Sequence, residues 1–454
     1  MSDETLIKNF SDRRFLVLTS NSHPAHSSAL GRSIILTSHR QNVLLLATVV
    51  LMTKDPVQHF FKSNESDLLV QPILDSLEEQ AANADLTRSV SSEVTEKLRG
   101  SDVMRMPATS ELGGIESSIL QMGRELEAVA ARCPSTAWCL WNHLAVFHLF
   151  VGTLGPEHEG FLKEIVDKGQ WVSFPAGAGS GVYGRLEDNE VVLNGKATFG
   201  TGSRYADHCG VVFAVVDDND EPVRPMDLRF SIVSTSVEGL KIDPTWDGSG
   251  LRASATDDLH YSEVRIPLDR CVQWYGANRA ESLRTVPVIN HRYREDWVGI
   301  SDLWLGWMAA GLVRRALQEV ASSTRERRVI MGGKMVEKPA AQLNIGRAAA
   351  LLSSARAAVE NACAELDERV ATNTVPDEAD YLRQMSVVSM SVEQLAEAMR
   401  LLERTQGGNG LREGGTFERR YRDFRAMPLH INVHQDRVTH QLGRFVLDIE
   451  RDPF

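Results

Sequence analysis

Two histidines one helical turn apart, His430 and His434, stand near the end of the chain in the segment FRAMPLHINVHQ. An imidazole has an ordinary pKa of about 6.5, so either side chain could accept or donate a proton near neutral pH. The same spacing occurs in zinc helices of sequence HExxH. Here the residue after His430 is Ile431, so the general-base glutamate is missing and we expect no metal site.

His434 is the stronger catalytic candidate because it falls on an apolar helical stripe. It lies three residues after Ile431 and four before Val438, and the stripe continues through Leu442, Phe445 and Ile449. The spacing predicts a last helix over about 429–448, with His434 facing the interior. A histidine in such a position can also be a hydrogen-bonded core residue without a catalytic role.

A second candidate histidine, His143, lies in STAWCLWNHLAVFHLF (135–150), which is apolar almost all round and is predicted to be a buried helix. Trp138 and Trp141 on that helix could form an aromatic pocket. We therefore take His143 as a catalytic or substrate-binding candidate, with Trp138, Trp141 and His430 as substrate contacts. The alternative is that His143 and the tryptophans only pack the core.

The elements that must position these residues change type twice along the chain. Residues 52–170 show helical periodicity, whereas 171–275 are short β-rich runs separated by Asn-Gly, Asp-Asn and glycine-rich breaks. Three long amphipathic segments and the last helix occupy 276–454. The predicted fold class is α+β, with an N-terminal helical domain, a central β-domain and a C-terminal four-helix bundle.

Composition excludes several classes of protein. The formal charge of −12 argues against a nucleic-acid binder, which usually presents a basic face. The five cysteines are scattered and form no CxxC pair, which suits a reducing cytoplasm without disulfides or a cysteine zinc site.

The apolar run VLLLATVVLM (43–52) is too short to span a bilayer and begins too late for a standard signal peptide. We expect no membrane association. Residues 1–51 are expected to be a disordered or misassigned leader, with Met52 as a possible true start. A cleaved export signal is the alternative.

The α–β–α order resembles the acyl-CoA dehydrogenase superfamily from about residue 55 to the end of the chain. Four stretches carry the resemblance: VVLNGKATFGTGSRYADHCGVVFAV, DGSGLRASATDDLHYSEVRIP, RERRVIMGG followed by Gln342, and RTQGGNGL followed by RYRDFRAMP. Each is weak alone, but together they stand in family order and at family spacing.

The resemblance implies a flavin site in two parts. Ser173, Thr201, Gly202 and Ser203 would lie at the flavin ring, the last three after an Asn194–Gly195 turn, and Ser203 would also assist catalysis. The flavin phosphates would be bound, often across a subunit contact, by Arg325, Arg328, Gln342, Gly407 and Gly408. Arginine is bidentate to phosphate and glycine lets backbone amides approach it. The alternatives are an ordinary strand end and a solvated helix end.

The resemblance also bears on the reaction. Dehydrogenases of this superfamily place a catalytic glutamate a few residues after the "RD" run, but Arg422-Asp423 is followed by FRAMPLHINVHQ, which contains no acid. Members with the base on an earlier bundle helix would match only Asp296 and Asp302. An acyl-CoA dehydrogenase or oxidase is therefore weakened but stays open, as does a catalytically degenerate flavin-binding relative.

The histidines at that place resemble the two-component (group D) flavin-dependent monooxygenases, such as the oxygenase component of p-hydroxyphenylacetate hydroxylase and dibenzothiophene monooxygenase. The resemblance implies reduced flavin, FMN in preference to FAD, supplied by a separate NAD(P)H:flavin reductase. It implies reaction with O2 through a C4a-(hydro)peroxyflavin and oxygenation of an aromatic or polycyclic small molecule. It further implies a homotetramer, with His434 beside flavin and substrate.

Overall fold

The computed structural model describes residues 55–62, 65–177, 180–274, 284–330, 332–431 and 433–450, together with the backbone of two strands near the N-terminus. The chain divides into two units, Met1–Ser63 and Asn64–Phe454. The first holds an antiparallel pair, β1 (Arg32–Leu36) and β2 (Leu45–Val49), and a short helix α1 (Pro56–Phe61). Apart from those strands, the predicted leader lies outside the described residues.

The second unit begins with five helices. They are α2 (Leu74–Thr87), α3 (Ser92–Arg99), α4 (Ile119–Arg132), α5 (Pro134–Leu154) and α6 (Glu159–Asp167). α5 is the one helix in the described part that is long and apolar enough to cross a bilayer, and 89% of its most apolar window is buried within the fold. This confirms the prediction of a buried helix over 135–150.

An eight-stranded sheet follows, built from short strands as predicted. Its strands are β3 (Val172–Ser173), β4 (Gly181–Glu187), β5 (Glu190–Gly200), β6 (His208–Val216), β7 (Leu228–Ser234), β8 (Leu240–Asp243), β9 (Asp257–Pro267) and β10 (Val272–Gln273). Their order is β10-β7-β6-β4-β5-β9-β8, and β3 pairs parallel with β6. All other pairs are antiparallel except β4 with β6.

The predicted Asn194–Gly195 turn is wrong, because both residues lie inside β5. The pairing of β5 with β9 shifts register between Leu193 and Gly195, and Gly195 adopts a φ of 125° that suits glycine. The Asn194 side chain bonds across this bulge to Glu263, accepting its N–H at 2.9 Å. An Asn-Gly pair therefore marks a bulge here, and β4 and β5 turn instead at Asp188, which has a φ of 49°.

Helices return in the C-terminal region. They are α7 (Trp297–Glu326), α8 (Pro339–Ala371), α9 (Glu378–Gln406), α10 (Thr416–Ala426) and α11 (Gln435–Val446). The order of helices, sheet and helix bundle confirms the predicted fold class. The single last helix expected over 429–448 is wrong in its start: α10 ends at Ala426, a 3₁₀ turn covers Met427–Leu429, and α11 begins only at Gln435.

Helices α4 and α7 pack closely and share buried charges. A Cβ at Gly123 would lie 2.3 Å from the ring of Trp307, so glycine is required for this approach. One turn further along α4, buried Glu127 accepts hydrogen bonds from Arg314 of α7 and Arg356 of α8, both at 3.2 Å. The carboxylate thus joins three helices in the interior.

We predict that Glu127→Ala lowers the free energy of unfolding by about 3–5 kcal/mol, because it leaves two arginines without their shared buried partner. Urea denaturation measures this. Glu93→Ala, which removes an exposed pair with Lys97, is the control and should leave the midpoint nearly unchanged. Equal small effects of both substitutions would show that the buried charges do not hold the helices together.

Candidate active site

Trp138 and Trp141 project from α5 toward the bundle, where they meet a histidine. The two indole rings lie 4.6 Å apart, and the Trp141 indole N–H donates to the carbonyl of Ser301 in α7 at 2.8 Å. The ring of His430 lies 5.7 Å from that of Trp138 and 5.2 Å from that of Trp141, both edge to face. We call these three residues the aromatic site.

The electrostatics of the aromatic site favour a neutral imidazole. Desolvation is the main cause that lowers the pKa of His430 to about 4, and the positive charge of Arg437 adds to it. A neutral imidazole offers one hydrogen-bond donor and one acceptor. At neutral pH this ring can therefore donate to an oxygen or accept a hydroxyl proton.

His434 does not occupy the predicted position inside a helical stripe. It is the N-cap residue of α11, which begins only at Gln435, and its side chain is only partly buried. The predicted stripe is not continuous either: Val438 is fully buried, but Ile431 is 61% exposed and Phe445 44%. The structure thus brings His430, rather than His434, onto the two tryptophans.

His143 faces the opposite side of α5, toward the sheet, and both of its ring nitrogens are bonded to main chain. Nδ1 accepts the N–H of Val172 at 3.1 Å, so Nε2 carries the proton and donates to the carbonyl of Met104 at 3.2 Å. Desolvation lowers the pKa of this buried imidazole to about 4. The ring therefore holds the start of β3 against α5, and the core alternative explains it better than a substrate contact.

The predicted flavin-ring residues do lie together, but their hydroxyls point inward. Ser173 Oγ donates to the carbonyl of Thr201 at 2.7 Å, and Ser203 Oγ donates to that of Ala255 at 3.4 Å. Thr201 Oγ1 lies 3.2 Å from Thr256 Oγ1 and, as a hydroxyl, keeps capacity for a second partner. The hydroxyls of Ser173 and Ser203 thus shape the loop, and the prediction that they face the flavin ring needs this correction.

Two aromatic residues beside this loop were missed by the sequence analysis. Phe199 is 56% exposed at the end of β5 and has a φ of 60°, which is unfavourable for a non-glycine residue. The buried indole N–H of Trp171 has no hydrogen-bond partner in the part of the chain that the structure describes, and a Cβ at Gly202 would lie 3.4 Å from it. The sequence KATFGTG holds a signal for Phe199, a large aromatic between turn-forming residues, but not its exposure.

The predicted phosphate-binding residues gather at the ends of three bundle helices. Arg325 and Arg328 are exposed at the end of α7, Gln342 is exposed in the first turn of α8, and Gly407 and Gly408 follow α9. A Cβ at either glycine would meet nothing within 4 Å. This backbone is therefore open to a ligand or to another chain.

Arg327, which sequence reasoning passed over, brings those ends together. Its guanidinium donates to the carbonyls of Thr405 and Gln406, the latter at 2.9 Å. The last carbonyls of α9 thereby receive donors, and the end of α7 is fixed beside Gly407. The sequence shows four basic or acidic side chains in a row at this place, RERR, without indicating which one turns inward.

The two acids considered for the dehydrogenase alternative have different surroundings. Asp296 is the N-cap of α7 and accepts the N–H of Val298 at 3.2 Å. Asp302 is completely buried in the second turn of α7, next to Ser301, whose carbonyl holds Trp141. A buried carboxylate therefore lies one residue from a contact of the aromatic site.

Comparison with known proteins finds one matching family model and several similar proteins. Residues 303–435 match the family described as acyl-CoA dehydrogenase, C-terminal domain. The chain is similar to a pigment production hydroxylase of a Rhodococcus species, 23% identical over 389 residues that cover 84% of this chain and 95% of that protein.

Two solved structures extend the similarity to the whole fold. The 3-HSA hydroxylase from Rhodococcus sp. RHA1 superposes with a TM-score of 0.75 at 17% identity, covering 86% of this chain and 99% of that one. An FMN-bound dibenzothiophene monooxygenase from Paenibacillus sp. A11-2 superposes with a TM-score of 0.72 at 18% identity, covering 85% of this chain and 98% of that one. The chain therefore shares the fold of these proteins, and the fold predicted from the sequence is confirmed.

We predict that protonation of His430 destabilises the fold on acidification. Its folded-state pKa is about 4, below the ordinary value of about 6.5. The unfolded chain then binds more protons than the folded one, and stability is lost as pH falls from about 6.5 toward 4. His430→Phe, which keeps a ring between the tryptophans, should lose less stability between those pH values.

Urea midpoints between pH 7 and 4.5 for wild type and His430→Phe measure the difference. His158→Phe, in a surface turn before α6, is the matched control and should keep the wild-type dependence. A pH dependence that His430→Phe leaves unchanged would contradict the burial of a neutral imidazole.

Proposed function

We propose that this chain, whose fold is that of the acyl-CoA dehydrogenase superfamily and whose C-terminal region matches that family, is the oxygenase component of a two-component flavin-dependent monooxygenase acting on aromatic or polycyclic small molecules. The observation that carries the proposal is the aromatic site, where a neutral histidine contacts two tryptophans. Residues 424–435, where dehydrogenases place their glutamate, contain no acid. The similarity to hydroxylases and monooxygenases supports the same reaction class.

The loop at Phe199–Ser203 fits a flavin ring. Phe199 offers an exposed aromatic face, and the buried indole N–H of Trp171, beside Gly202, has no partner among the described residues. We propose reduced FMN as the cofactor, in agreement with the FMN-bound neighbour. When bound, it supplies the electrons that activate O2, and the phosphate would lie at Arg325, Arg328, Gln342, Gly407 and Gly408.

The chain's own residues then have separable tasks at the substrate. Trp138 and Trp141 are proposed to bind a flat aromatic ring by stacking or edge contacts and to exclude water from it. His430 is proposed as the acid–base group, because its uncharged imidazole can accept a phenolic proton or donate to an oxygen atom. Such proton transfer is efficient when the substrate and the His430 imidazole are held in a fixed relative position.

The exposed apolar surface of the bundle favours a homotetramer. Large side chains on the C-terminal segment are 44–74% exposed, namely Leu429, Ile431, Phe445, Val446, Leu447 and Ile449. A monomer rarely exposes such a surface, and a second copy could cover it and complete the phosphate site. The remaining proposed partners are a separate NAD(P)H:flavin reductase and O2, and the proposed compartment is the cytoplasm.

Stopped-flow mixing of protein and reduced FMN with O2 tests the function. We predict a transient species whose near-ultraviolet absorbance differs from that of both reduced and oxidised FMN, and no oxidation of NADH unless a flavin reductase is added. Free reduced FMN without protein is the control. Direct bleaching of bound oxidised flavin by an acyl-CoA would instead favour the dehydrogenase alternative, with Asp302 as its base.

Substitution of the two histidines tests the proposed acid–base group. We predict that His430→Ala retains folding and affinity for reduced FMN but diverts oxygen to H2O2, with product formation lowered by about 10²–10⁴-fold. His434→Ala, at the partly buried N-cap of α11, is the matched control and should do less. The ratio of product to peroxide is the measurement, and a larger defect in His434→Ala would restore the sequence-based choice.

A further inference from the structure

The loop between β8 and β9, residues 248–256, contacts several parts of the protein, and we call it the bridging loop. Two of its residues adopt left-handed backbone conformations without being glycine, Leu251 with a φ of 49° and Ala255 with a φ of 47°. Such conformations are unfavourable for residues with a side chain and persist only where the surroundings hold them. The contacts of the bridging loop must therefore supply that constraint.

One set of contacts holds the Phe199–Ser203 loop. The carbonyl of Ser254 accepts the N–H of Gly202 at 2.9 Å. Ser254 Oγ lies 2.7 Å from Thr256 Oγ1, which in turn lies 3.2 Å from Thr201 Oγ1. The position of Thr201 and Gly202 therefore depends on the position of the bridging loop.

A second set of contacts comes from α5. Ser135 Oγ accepts the N–H of Ala253 at 3.3 Å, and the thiol of Cys139 donates to the same Ser254 carbonyl at 3.2 Å. The bridging loop is thus seated on the face of α5 opposite to the aromatic site.

The third set comes from α10, the helix that leads to His430. Oδ1 of buried Asp423 accepts the N–H of Leu251 at 2.7 Å, at one of the two strained residues. Arg422 donates to the carbonyl of Ser249 at 2.7 Å, and a Cβ at Gly250 would lie 2.2 Å from the Arg422 carbonyl. The backbones of α10 and the bridging loop therefore approach closely at Gly250, next to the bond from Leu251 to Asp423.

We infer that Asp423 is a positioning residue: through Leu251 and the bridging loop it fixes the Thr201–Ser203 backbone relative to the segment that carries His430. It touches neither the aromatic site nor Phe199, so its effect passes through the loop. The part of this inference that concerns flavin rests on the proposed function. The part that concerns the Gly202 amide does not.

The charge state of Asp423 provides a readout that a purely structural side chain would lack. Burial raises the pKa of this carboxyl to about 7, with the hydrogen bond from Leu251 opposing the shift. The charged or titratable groups that face it are Asp85 from α2, Arg419 and Arg422 from its own helix, and Cys133 before α5. When the loop opens, the pKa of the carboxyl returns to its ordinary value of about 3.9. Opening of the loop therefore becomes easier as pH rises from about 4 to 7, and does not change further above pH 7.

The experiment compares Asp423→Asn and Asp423→Ala by hydrogen exchange of the Gly202 amide in the flavin-free protein. Asparagine keeps an oxygen that can accept from Leu251 but cannot ionise, whereas alanine removes the acceptor. We expect Asp423→Ala to speed exchange at Gly202 about tenfold, the effect of losing one buried hydrogen bond. Exchange is expressed as a protection factor, which removes the base catalysis of amide exchange common to all variants. Asp423→Asn should stay within a few-fold of wild type near pH 4, where the wild-type carboxyl is protonated, and its protection factor should not fall between about pH 4 and 7 as that of the wild type does.

Glu319→Gln is the matched control. Glu319 of α7 accepts a hydrogen bond at 3.0 Å from Arg420, which lies on α10 like Asp423, and Glu319 does not contact the bridging loop. Equal acceleration at Gly202 in this variant, or the wild-type pH dependence in Asp423→Asn, would overturn the inference.

A parallel titration with anaerobically reduced FMN should show weaker binding to Asp423→Ala than to Asp423→Asn, and equal binding would also count against it. A protein that binds no reduced FMN contradicts the proposed function, while the exchange data still decide the role of Asp423.

Discussion

The arrangement of this protein depends on the burial of one helix. α5 has apolar residues on every side, so it is stable only when protein covers its whole circumference. No single layer can do this, and the sheet and the bundle therefore meet on it from opposite directions. Trp138 and Trp141 face the bundle, whereas Cys139 and His143 face the sheet. The aromatic site and the Phe199–Ser203 loop consequently both take their position from α5.

Polar groups inside that contact then fix the details. A buried donor or acceptor without a partner costs about 1–3 kcal/mol, so each one restricts which arrangements are stable. His143 satisfies the backbone at Val172 and Met104, and the Ser254 carbonyl takes donors from Cys139 and Gly202. These bonds hold residues in strained backbone conformations beside the proposed flavin surface. The geometry there is therefore set by the packing of α5.

The sequence contains the information for this architecture where the signal is local and strong. A run that is apolar all round predicts a buried helix, and short β-branched runs between breaks predict strands, and both predictions are confirmed. The errors arise where a local pattern has two structural solutions. Asn194–Gly195 suits a turn and a bulge equally, and only the partner strand β9 decides between them.

The site residues show the same limit. The stripe through His434 has helical spacing, but the 3₁₀ turn at Met427–Leu429 and the turn closed by the bond from Val433 N–H to the His430 carbonyl delay the start of α11 to Gln435. Helical spacing therefore does not apply at His434. That His430 meets the tryptophans is a contact over almost three hundred residues, which spacing cannot reveal. The same holds for Arg327: it turns inward, unlike Arg325 and Arg328, because it donates to the carbonyls at the end of α9, which are distant in sequence.

The surroundings of His430 and Asp302 bear on which chemistry the site favours. Removing a carbon-bound proton from a thioester calls for a base placed at the substrate. Asp302 is completely buried in α7, whereas His430 lies against the rings of Trp138 and Trp141. Desolvation lowers the pKa of that imidazole to about 4, so at neutral pH it brings no charge to the tryptophans yet can hydrogen-bond a hydroxyl group. The group that contacts the two tryptophans is thus better suited to a neutral, phenol-like partner than to a charged one.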